Sequence, residues 1–184
     1  MSEDVFVACC APTLAGLKTG SMFSFSYPNR AEMTADLRRL NGELAPKGLC
    51  VLPLRYRAGR ALLYVFRPKV LRQDLSRRAA REILTAAGYR DQSVARCLSR
   101  LRERLLTEEG FPHEIGLFLS YPPEDVRGFI ENKAQNCKLT GCWKVYGDEK
   151  AARKTFEKYR KCTEAYQRSL DAGFALSRLA VSLQ

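Results

Sequence analysis

Histidine is almost missing from this chain: His113 is the only one in 184 residues, and Trp143 is the only tryptophan. A zinc site wants four ligands at tight paired spacings. Cys137 and Cys142 offer one pair without a second, and His113 would have to complete it. No glycine-rich phosphate loop, nucleotide fingerprint, Ser-His-Asp order or paired-carboxylate motif occurs, so those enzyme classes have no support here. Long apolar runs are absent too. Nothing approaches the ~18 apolar residues needed to span a bilayer. The opening Met1-Ser2-Glu3-Asp4 is acidic, and the apolar run after it is broken by Pro12 and Lys18, which is not the pattern of a secretory leader. The expectation is a cytoplasmic protein with no membrane partner, no cofactor and no metal.

What is present points to an ordinary globular chain. Hydrophobic residues make up 46% and charged residues 28%, which argues against disorder. The length of 184 residues suits one domain, long enough to bury a core without staples. The seven cysteines are an odd number in a chain too large to need a disulfide framework, so reduced thiols are expected. The net charge is +11, and its placement is lopsided. Residues 55–104 hold about 14 basic side chains against about 4 acidic ones.

Periodicity gives the elements. Residues 5–17 read as a short buried helix or turn with Pro12 in its first turn, where a missing N–H costs nothing. Ser21 to Tyr27 alternates as a strand. Met33, Leu37, Leu40 and Leu44 mark a helix over 30–44. Leu49-Cys50-Val51-Leu52 and Leu62-Leu63-Tyr64-Val65-Phe66 flank Arg57-Ala58-Gly59-Arg60 as a β-hairpin. Residues 70–87 read as one helix closed by Gly88, and Asp91 caps a second with its stripe at Val94, Leu98, Leu101 and Leu105. A strand over 114–121, a short helix over 123–132, a strand over 143–146 and a long helix opened by Asp148 follow, with the tail from Phe174 to Leu183 packing back. The fold class is α+β: a single domain over 1–184, a mixed sheet of about five strands with packed helices, and a basic two-helix hairpin. Phe23, Leu63, Val65, Ile115, Leu117 and Leu119 are expected to share one buried layer. Phe23-Ser24-Phe25-Ser26-Tyr27-Pro28 echoes Leu117-Phe118-Leu119-Ser120-Tyr121-Pro122, which leaves open a repeated β-α-β between 21–54 and 115–147.

The candidate chemistry divides three ways. Cys10 before Pro12-Thr13, at an expected helix start, is a candidate nucleophile with His113, and Lys18 adds positive charge. The plainer reading is a buried cysteine and a histidine holding a turn. Glu131-Asn132-Lys133 and Asn136-Cys137-Lys138 form a polar, basic loop able to donate to a phosphate or carboxylate, or simply a solvated connection. The candidate ligand-binding set is Thr13, Lys18, Glu114, Tyr121, Asn132, Lys133, Asn136 and Lys138. Arg72, Arg77, Arg78, Arg81, Arg96 and Arg100 form a candidate partner surface for an acidic protein, or a solvated face. Nucleic acid is disfavoured: Glu103 interrupts the second helix, and its first turn offers only Gln92 and Ser93. Trp143 is expected to be buried beside Pro112-His113, its indole N–H on a backbone carbonyl.

One stretch carries a family likeness. Phe111-Pro112-His113-Glu114-Ile115-Gly116-Leu117-Phe118-Leu119 with Tyr121-Pro122-Pro123-Glu124-Asp125-Val126-Arg127-Gly128-Phe129-Ile130-Glu131-Asn132 resembles the central signature of domain of unknown function 3793. Asn136-Cys137-Lys138 and Trp143-Lys144-Val145-Tyr146-Gly147-Asp148 continue it, and Cys10-Ala11-Pro12-Thr13-Leu14-Ala15-Gly16-Leu17-Lys18 is similar to its other block. Ser120 stands where that pattern has glycine, Ala134-Gln135 replaces a glycine-containing pair, and Cys142 replaces an aromatic residue. The departures argue against close backbone approach at the two lost glycines. The resemblance implies a single-domain protein of anaerobic bacteria and supplies no reaction, ligand or partner. The first functional expectation is a non-enzymatic binding or accessory protein for an anionic small molecule or an acidic, redox-carrier-like protein. The alternatives are a thiol-dependent enzyme using Cys10 and His113, and a DNA-binding regulator.

Overall fold

The computed structural model describes residues 1–91, 93–107 and 110–183. The helices are α1 (Glu3–Leu14), α2 (Arg30–Leu44), α3 (Pro68–Ser76), α4 (Arg78–Ala86), α5 (Val94–Thr107), α6 (Ile115–Phe118), α7 (Pro123–Glu131), α8 (Glu149–Asp171) and α9 (Leu176–Leu179). The strands are β1 (Gly20–Ser26), β2 (Cys50–Arg57), β3 (Arg60–Phe66), β4 (Leu139–Thr140) and β5 (Lys144–Val145). The class is α+β. The chain forms two compact units, residues 1–69 with 159–184, and residues 70–158.

The first unit is built on an antiparallel sheet in the order β1-β3-β2. Ala58 and Gly59 turn β2 into β3 with φ of 49° and 72°, the left-handed pair that a two-residue hairpin requires. Pro53 cannot donate to a ladder, and the register of β2 shifts in a bulge between Pro53 and Arg55. That leaves β2 as an edge strand. Asn41 of α2 pairs with that strand, accepting from Val51 N at 2.8 Å and donating to Val51 O at 2.9 Å. Phe23, Leu63 and Val65 do share a buried layer, with Phe6 and Leu14 of α1, Leu37 and Leu40 of α2, and Leu176 of α9. Pro12 lies in the last turn of α1 rather than the first.

Arg67 holds this unit together at the end of β3. It is 2% exposed. Its guanidinium donates to Thr13 O at 2.8 Å, Leu14 O at 2.7 Å, Val181 O at 2.8 Å and Lys47 O at 3.2 Å. Two of these carbonyls end α1, where the helix leaves acceptors unpaired and a partial negative charge. Val181 N closes on Leu14 O at 3.0 Å, so the tail does pack back.

The second unit contains the basic helices. The single helix expected over 70–87 is two, α3 and α4, because Arg77 leaves helical geometry at ψ 137°. Gly88, at φ 83°, ends α4 as expected. Asp91 accepts from Ser93 N at 2.8 Å before α5. Gln92 lies outside the described residues. The expected strand over 114–121 is the one-turn helix α6 instead. Gly116, Leu117 and Phe118 are consecutively buried, so the apparent alternation was a short apolar run between Pro112 and Pro122 that fits either geometry. Ile115, Leu117 and Leu119 belong to the second unit, whereas Phe23, Leu63 and Val65 belong to the first, and none of the three is in a strand. Nor is there one mixed sheet of five strands: β4 and β5 form a separate antiparallel ladder, Leu139 opposite Val145 and Thr140 opposite Lys144. Residues 21–54 form β1-α2-β2, whereas 115–147 form α6, α7 and this ladder, so the two segments differ in kind.

Candidate ligand-binding site

The site assembles around Asp125. It lies in the first turn of α7, where a carboxylate is favoured by the helix end. The side chain turns inward and is 3% exposed. One oxygen accepts from Trp143 Nε1 at 2.7 Å, and the other from the N–H groups of Tyr146 and Gly147, each at 2.7 Å. A single carboxylate thus ties the indole and the strand end after β5 to α7. Trp143 is buried, as expected, but its N–H goes to this carboxylate and not to a backbone carbonyl. A buried carboxylate is the stronger acceptor.

Trp143 then organises an aromatic wall. Its ring stacks on Tyr121 at 5.0 Å and 28°, and meets Phe156 edge-on at 4.5 Å and 82°. Tyr121 Oη donates to Cys142 O at 3.1 Å, fixing the hairpin tip. Burial raises the Tyr121 hydroxyl above its ordinary range. Two glycines permit the approach: a Cβ on Gly141 would stand 2.2 Å from the Phe156 ring, and one on Gly116 2.8 Å from Val126 and 2.9 Å from Tyr121. Across the site, His113 meets Phe129 edge-on at 5.2 Å and 68°.

Between these walls is a cavity of ≈ 300 Å³, lined chiefly by Phe111, His113, Tyr121, Phe129 and Trp143, with Thr140, Cys142 and Lys144 among its other lining residues. Phe111, at 49% exposed, is a large aromatic left open to solvent in the wall. Pro112, His113 and Trp143 all line the cavity.

The candidate residues from the sequence distribute as follows. Cys10, Thr13 and Lys18 belong to the first unit and His113 to the second. Cys10 is not at a helix start but in the body of α1, fully buried. Burial pushes its thiol well up, with Cys9 adding to the rise and Lys18 opposing it, so the expected activation by a helix end is absent. Thr13 is buried against Ser21 Oγ at 2.9 Å. Glu114 is buried and accepts from Tyr89 Oη at 2.8 Å and from Arg104 Nη1, fastening α6 to α5. Asn132 ends α7 and donates to Gly128 O at 2.8 Å. Lys133 and Asn136 are exposed in left-handed backbone, at φ 48° and 57°, and Lys138 Nζ donates to Gly147 O at 2.9 Å. Only Tyr121 and His113 of the named set line the cavity.

The arginine surface carries less net charge than its count suggests. Arg77 pairs with Asp74, Arg78 with Glu82, Arg96 with Asp91 and Arg100 with Glu103. Arg72 is exposed on α3, and Arg81 on α4. Among the described residues no group of three or more His, Cys, Asp or Glu side chains gathers in metal-binding fashion. Phe111, Phe129, Lys144 and the anchoring role of Asp125 went unread in the sequence. The one available signal was the density of aromatic residues around Pro112-His113.

Residues 6–180 match the family model described as protein of unknown function, DUF3793. The chain belongs to the DUF3793 family. No curated protein and no solved structure matches it. Two non-glycine residues of this DUF3793 chain hold left-handed backbone beside α6 and α7: Ser120 has φ 63° and Ala134 φ 62°. Left-handed backbone, not close approach, is what glycine would serve there. Ala134→Gly is expected to raise stability by about 1 kcal/mol, and Ser120→Gly to shift it in the same direction. Urea midpoints check this; an unchanged or lower midpoint for Ala134→Gly contradicts it.

Proposed function

We propose that this DUF3793 protein is a non-enzymatic binding protein whose second unit takes the flat ring of a small molecule into the aromatic cavity. The observation that carries the reading is the combination of rings and committed polar groups on one wall. A volume of ≈ 300 Å³ is at the small end of ligand sites. Aromatic side chains supply large contact area with specific geometry. The polar groups needed to build the walls are already spent: Asp125 on three N–H donors, Tyr121 Oη on Cys142 O. Groups so fixed hold shape and leave recognition to ring faces.

N-phenylnaphthylamine, an uncharged two-ring fluorophore, is a suitable probe. It should bind saturably at one site per chain. Phe111→Ala should weaken it about tenfold by removing an exposed ring at small cost to the fold. Probe fluorescence that rises without saturation, or binding indifferent to Phe111→Ala, would count against the cavity as the site.

A further inference from the structure

The ligand's polar end can be read from the charges on the cavity wall, given the reading of the cavity as a ligand site. We infer that the ligand is an anion, a flat ring bearing a carboxylate, sulfonate or phosphate group, and that Lys144 receives its charge. Among the described residues, one carboxylate and one ammonium line the cavity, those of Asp125 and Lys144. They are in opposite states. Asp125 is buried, and its oxygens are filled by three N–H groups at 2.7 Å, so its charge is absorbed by fixed donors within the fold.

Lys144 is half-buried on β5. Its Nζ donates to Ala134 O at 2.6 Å. An ammonium has three N–H groups and no acceptor, so one carbonyl does not saturate it. Opposite Lys144 on the ladder is Thr140, exposed, and cross-strand partners present their side chains on the same face. The ladder thus offers an ammonium and a hydroxyl side by side at the cavity. A ring seated against Trp143 and Tyr121 with its charge toward β5 meets both. A cationic ligand would instead meet a like charge, with the Asp125 carboxylate already occupied.

The test compares anilinonaphthalene sulfonate with uncharged N-phenylnaphthylamine, two probes that share the ring system and differ in charge. With Lys144→Gln, the sulfonate should lose about tenfold more affinity than the neutral amine, the scale of one charge-assisted hydrogen bond. On the unaltered protein, added sodium chloride should weaken the sulfonate more than the amine. Equal losses for both probes, or none, with matching salt dependence, would overturn the inference while leaving the cavity reading intact, since Lys144 would then serve only to hold Ala134. Failure of both probes to bind the unaltered protein would overturn the cavity reading and this inference with it.

Discussion

Arg67→Met should lower the unfolding temperature by roughly 10 °C, equivalent to about 3–5 kcal/mol. The guanidinium is buried, four backbone carbonyls receive it, and among the described residues no carboxylate pairs with it. Methionine fills much of the space but donates nothing. Thr13 O keeps Gly16 N and Leu14 O keeps Val181 N, but all four carbonyls lose a bond to the charged group, each at about 1.5–3 kcal/mol before relaxation. Burial lowers the arginine's pKa from its ordinary value, yet guanidinium stays charged in proteins, so pH does not relieve the requirement. Arg67→Lys should fall between the two, because one ammonium cannot fork to carbonyls from three segments. Circular dichroism melts read the result. A shift of only a degree or two for Arg67→Met would show that the tail and helix end find other partners.

Asp125→Asn is expected to cost about 2–4 kcal/mol and to dismantle the aromatic wall. Asparagine keeps the shape but turns one acceptor oxygen into an N–H donor. The amide then faces either the Trp143 indole N–H or the Tyr146 and Gly147 N–H groups donor to donor. Freed of its anchor, Trp143 becomes more exposed, so its emission should move to the red. A native-like melt with unmoved emission would mean that the carboxylate is incidental to the wall.

Legibility in the sequence followed the reach of the interaction. The helix over 30–44, the hairpin at Ala58-Gly59, the Gly88 cap and the Asp148 start were legible, because periodicity and turn chemistry act within a few residues. Asp148 accepts from Ala151 N at 3.0 Å as its position suggested. The segment at 115–119 was misread because a run of apolar residues with one glycine fits a strand or a helical turn equally well. Arg67 and Asp125 were illegible for another reason. Arg67 follows a strand among many arginines, and Asp125 opens a helix among other acids. Only the distant carbonyls and N–H groups that meet them give these residues their role. Ser120 and Ala134 were equally illegible, because what sets them apart is the sign of φ, which composition does not carry. Cys10 shows the converse: its neighbours Pro12 and Thr13 suggested a helix start, whereas they lie near a helix end.

The emission of Trp143 tests the central claim most directly, because the chain's one tryptophan is a wall of the proposed site. Titrating N-phenylnaphthylamine while exciting the indole should quench Trp143 and sensitise the probe together, both ending at one equivalent. Energy transfer that is absent while the probe still binds would place the ligand elsewhere and contradict the account.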